Sequence, residues 1–68
     1  MFPSNRIRNY KVIGICEDTG LEALVCDNCE KTMGQMIATS LNGTVSKDWA
    51  FFYKAVPQEH VLITQPLN

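Results

Sequence analysis

A single small α+β domain is the fold class this sequence predicts, and three observations predict it. A β-branched run is followed by a turn and a second short apolar segment. Apolar residues then recur at helical spacing over about four turns. The composition of the 68 residues, 46% hydrophobic and 19% charged, is that of a chain that folds rather than one that stays disordered. At this length the core is small, because a chain of this size buries only about 60% of the surface its unfolded form exposes. Six Lys and Arg against seven Asp and Glu give a formal charge of -1, so no broad field draws the chain to nucleic acid or anionic lipid. No repeat, charge block or linker divides it, and residues 1–68 read as one unit with ends frayed over 1–9 and 65–68.

Tyr10 to Cys16, YKVIGIC, is the first strand expected, and Leu21 to Cys26, LEALVC, its hairpin partner. Between them Glu17-Asp18-Thr19-Gly20 provides an Asp and a Gly suited to a tight turn. Asp27 is placed to cap a helix beginning at Asn28, and Glu30, three residues on, to complete a capping box. Cys29, Met33, Met36, Ile37 and Leu41 would share the buried face of that helix, and Asn42-Gly43 would end it with left-handed residues. The aromatic segment from Asp48 to Val56 is compatible with two structures. Trp49, Phe52, Tyr53 and Val56 keep helical spacing with Ser46 as a cap and Pro57 as the stop, whereas Trp49, Phe51 and Tyr53 alternate as in a strand. A helix is the expectation for it. His60 to Thr64, HVLIT, is expected as a short C-terminal strand.

Cys16, Cys26 and Cys29 are an odd number, which excludes a fully paired disulfide framework within one chain. The first ten residues lack the apolar stretch of a secretory signal, and no run approaches the roughly 18 residues of a membrane span. A cytoplasmic setting with reduced thiols is therefore expected, where a Cys-x-x-Cys pair points to metal or redox chemistry. Structural zinc takes four ligands at about 2.0 to 2.3 Å, and Cys26 and Cys29 beside a helix start would supply half of them. Cys16 and His60, the single histidine, complete the candidate set. The alternative is that Cys16 is a small buried hydrophobe and the other two flank a helix start.

The stretch Val25-Cys26-Asp27-Asn28-Cys29-Glu30-Lys31, with Asp48-Trp49-Ala50-Phe51-Phe52-Tyr53-Lys54 downstream, resembles the Gin family of small anti-sigma factors of spore-forming bacteria. The resemblance covers about half of the chain. It implies a treble-clef-like order of hairpin, knuckle and helix, one zinc ion held by two Cys-x-x-Cys knuckles, and inhibition of a component of the transcription machinery. Only Cys16 matches the first knuckle, since Ile13 stands where the family has its other thiol.

Three functions follow from these features. The first is a regulatory binding module that docks on a larger protein through Trp49, Phe51, Phe52 and Tyr53, aromatics being frequent interface anchors. Homodimerisation is a second use of the same apolar surface. The second function is glutaredoxin-like thiol-disulfide exchange at Cys26-x-x-Cys29, against which the short distance to Pro57 argues. The third is a zinc knuckle on nucleic acid, for which Arg6, Arg8 and Lys11 are too few and are read as solvated surface. No nucleophile-base set or phosphate loop can be assembled, and no enzyme activity is expected.

Overall fold

The β-branched run becomes the middle strand of a three-stranded antiparallel sheet. The computed structural model describes residues 8–44 and 50–65. They form β1 (Tyr10–Cys16), β2 (Glu22–Cys29), α1 (Lys31–Asn42) and β3 (Phe51–Pro57), with strand order β2-β1-β3. The α+β class is thereby shown. Its treble-clef-like part extends no further than the order of hairpin and helix, because β3 returns to pair with β1 along its whole length, from Tyr10 opposite Pro57 to Cys16 opposite Phe51.

The hairpin forms where the sequence places it. Cys16 N donates to Leu21 O at 2.8 Å and Gly20 N to Cys16 O at 2.7 Å, and Gly20 takes the left-handed φ of 76° that the turn requires. Beyond Cys26 the expectation fails. The chain continues as strand to Cys29, and α1 begins only at Lys31 with Glu30 as its N-cap residue. Asp27 therefore caps no helix: its Oδ1 accepts from Asn28 N at 3.0 Å and from Gln58 Nε2. The capping-box pattern is occupied instead by a β-bulge. Gly43, at φ -72°, ends α1 in right-handed rather than left-handed geometry.

The buried face of α1 also differs from the expected one. Gly34 and Ala38 are its buried residues, while Met33 and Met36 are 47% and 63% exposed. The reason is close approach. A Cβ on Gly34 would lie 3.1 Å from Cys29 Sγ, 3.3 Å from Ala55 Cβ and 3.6 Å from Val12 Cγ2, so the helix sits on the sheet through its smallest side chains. Here Val12, Cys29 and Ala38 form the core, with Tyr10, Cys26, Ile37 and Tyr53 packed around them.

The aromatic segment is a strand rather than a helix, over Phe51–Pro57. Its alternation prevails because β1 offers it a complete partner, and Gly14 leaves room for two rings: a Cβ there would meet Tyr53 Cε1 at 3.2 Å and Phe51 Cε1 at 3.4 Å. Pro57 is the last residue of the strand, not a helix stop, and lies on the sheet edge where proline is tolerated. Asn42, at the end of α1, closes the outer edge of β3. Its Nδ2 donates to Tyr53 O at 2.9 Å and its Oδ1 accepts from Tyr53 N at 2.7 Å, as a neighbouring strand would.

Residues 60–64 do not form the expected C-terminal strand. They run as an extended strap to the edge of β2, where Glu22 N donates to Ile63 O at 2.8 Å. On the way the strap passes the sheet face opposite α1, and Lys11 Nζ donates to His60 O. Ile13 is fully buried and Val56 5% exposed on that face. Ser46, Trp49 and the terminal segments 1–7 and 66–68 lie outside the described residues.

Candidate functional site

Residues i and i+3 of a regular strand point to opposite faces, yet Cys26 and Cys29 come to the same one. One irregularity in β2 brings this about: Cys26 stands opposite Val12 and Cys29 opposite Tyr10, so three steps on β2 span two on β1. The extra residue falls beside Asn28, whose φ of 50° is the one left-handed conformation of a non-glycine residue among the described residues. Gln58 braces it. Its Oε1 accepts from Asn28 N at 3.3 Å while its Nε2 donates to Asp27. Cys29 lies under Gly34 in the core, where burial pushes its thiol pKa up and the neighbouring Cys26 pushes it further. Cys26 is half-buried.

Cys16 is not part of this group. It ends β1, four residues beyond the one opposite Cys26 and six beyond the one opposite Cys29, or about 13 and 20 Å along a strand. Beside the turn its thiol pKa is lowered, first by the Thr19 hydroxyl and then by hydrogen bonds from the backbone at Thr19 and Asp18.

His60 belongs to a third place. Its Nε2 lies 2.7 Å from Glu22 Oε1, and the same oxygen accepts from Ile63 N at 3.2 Å. With Glu22 N bound to Ile63 O, one residue clasps the strap through both its backbone and its carboxylate. The hydrogen bond from His60 is the main cause of a lowered Glu22 pKa. The four expected zinc ligands, Cys16, Cys26, Cys29 and His60, are thus spread over the two ends of β1 and the opposite face of the sheet. Among the described residues no three of His, Cys, Asp and Glu are grouped as a metal would need.

The expected aromatic contact surface is divided as well. Phe51 and Tyr53 point to the α1 side over Gly14, whereas Phe52, opposite Ile15, looks the other way and is 36% exposed. Of the candidate basic patch, Lys11 is 8% exposed beneath the strap rather than solvated, and Arg6 lies outside the described residues. What remains open is the outward face of α1. Thr32, Gln35, Met36, Thr39 and Ser40 line a shallow depression of about 400 Å³ there, and the twelve-residue helix carries a single charge, Lys31 at its first position. A solvated helix face is ordinarily rich in Lys and Glu.

Sequence reasoning missed Glu22, Asn42 and Gln58. Glu22 was legible only as a polar position in an apolar segment, and Gln58 meets partners about thirty residues away, for which no local pattern exists. Comparison with known proteins adds no relative: no family model matches the sequence, and no curated protein or solved structure matches it. No helix among the described residues is long and apolar enough to cross a membrane.

Proposed function

We propose that this chain is a small regulatory protein that acts by binding a larger protein, and that the outward face of α1 makes the contact. The observation that carries this is the uncharged helix surface around Met36, the residue 63% exposed at its centre. Interface cores are depleted in charge and enriched in methionine, whose unbranched side chain adapts to an irregular pocket. Thr32, Gln35, Thr39 and Ser40 supply hydrogen-bonding groups at its rim. The partner that fits is a protein with an apolar recess for Met36, edged by polar uncharged groups. The resemblance to the Gin family nominates a component of the transcription machinery as the first partner to try.

Replacing Met36 with a photo-crosslinking amino acid, in cells that produce the protein, tests this. An adduct with one larger protein, absent when the cross-linker stands at Asp18 in the hairpin turn, is the expected result. Identical adducts from both positions, or none from position 36, would contradict it. An adduct of twice the chain's own mass would replace it with self-association.

A further inference from the structure

The bulge that turns Cys26 and Cys29 to one face also brings them within bridging range. Opposite Val12 and Tyr10, their backbones are separated by about two strand steps, near 6.6 Å, where three regular steps would separate them by about 10 Å. Disulfides span Cα separations of about 4.4 to 6.8 Å, so closure needs a tightening of the bulge and no rearrangement of the sheet. Both thiols are free, and Cys26 packs against the cluster that contains Cys29. The pair is also reachable. A crevice of about 150 Å³ lined by Arg8, Asn28, Cys29, Glu30 and Met33 opens onto Cys29, and Cys26 is itself half-buried.

We infer that Cys26 and Cys29 are a reversible modification site, closed into an intramolecular disulfide by exchange with a small organic disulfide of the glutathione type. The Cys26 thiolate attacks one sulfur of the small disulfide, forming a mixed disulfide and expelling one thiolate. The Cys29 thiolate then attacks the Cys26 sulfur, closing the protein disulfide and expelling the second. The small disulfide gains two electrons, the cysteine pair loses two, and the protons of both protein thiols end on the released thiols. Cys16 has no such outcome open to it, because neither other sulfur is within reach along β1. It stops at the mixed disulfide. The proposal is independent of the partner-binding role of α1.

The test is incubation of the full chain in glutathione buffers of increasing glutathione disulfide content, followed by acid quenching, alkylation and fragment mass analysis. The expected product has lost two hydrogens, links Cys26 to Cys29, leaves Cys16 either alkylated or glutathionylated, and reverts with dithiothreitol. Cys16→Ser should give the same closure, and Cys29→Ser should stop with glutathione on Cys26. Glutathione retained separately on Cys26 and Cys29 of the wild type, disulfides joining two chains, or both residues alkylated after full oxidation of Cys16 would each overturn it. Should Cys29→Ser not fold, the wild type and Cys16→Ser decide the matter between them.

Discussion

The two faces of the sheet are closed by different physics. On one, α1 rests on the strands through Gly34 and Ala38, close enough that a single added Cβ would meet both Cys29 and Ala55. On the other, the face where Ile13 is buried, a strap without regular structure is held by polar groups: Lys11 to His60 O, His60 to Glu22, and Glu22 to both backbone atoms of Ile63. The first closure is short-ranged and contains no carboxylate. The second depends on a carboxylate and is therefore sensitive to pH. Among the described residues, the face opposite α1 is covered by coil over 60–64 and this polar clasp.

The largest effect should come from a fully buried residue of the central strand on the face opposite α1. Ile13→Ala removes a fully buried side chain of the central strand and should cost about 3 kcal/mol in denaturant unfolding, a large share of the stability of so small a domain. The clasp on the same face comes next. Glu22→Gln should weaken the strap by about 1 kcal/mol, since a charge-assisted acceptor becomes a neutral one. In the wild type this contribution has a definite pH signature. A carboxyl whose pKa is lowered by folding stabilises fully above its ordinary value of 4.5 and loses that contribution as pH falls through the depressed value. The Gln variant should lack this acid-side loss, and an unchanged pH profile would remove Glu22 from the clasp.

Gly34→Ala probes the helical side. Alanine improves helix propensity by about 1 kcal/mol, but its methyl group would sit 3.3 Å from Ala55 Cβ, a side-chain atom fixed directly to the strand backbone with no torsion to turn it aside. Overpacking should prevail by about 1 kcal/mol. Greater stability of this variant would show that the helix can lift from the sheet at little cost. The smallest effect lies outside both faces. Thr19→Val should leave stability nearly unchanged yet slow alkylation of Cys16 by iodoacetamide near neutral pH several-fold, because the hydroxyl is the first cause of its lowered pKa.

How much of this was legible depended on whether a residue's partner was nearby in the chain. β1 and the hairpin turn were read to the residue, because β-branched content and a turn glycine are local signals. The end of β2 is not legible locally, since Asp27 and Glu30 make a capping box in sequence while Gln58 recruits Asp27 and Asn28 into a bulge. Helical periodicity identified α1 but not its buried face. Counting large apolar residues selects Met33 and Met36, whereas the sheet selects the small residues that let the helix approach. The aromatic strand was undecidable locally and was settled by pairing with β1, including the space left by Gly14. At the candidate site, the spacing of the cysteines is legible in the sequence and their grouping is not. The Cys26 and Cys29 pair survives, while Cys16 and His60 belong to different ends and faces of the sheet.

Native-state hydrogen exchange on the wild type and Glu22→Gln, at one pH near neutrality, tests most directly whether the two closures are independent. Faster exchange confined to the amides of Glu22 and Ile63, with the Gly34 amide that donates to Glu30 O unchanged, is the expected result. Equal acceleration of all three amides would mean that strap and helix open as one unit, and that the sheet has a single closure rather than two.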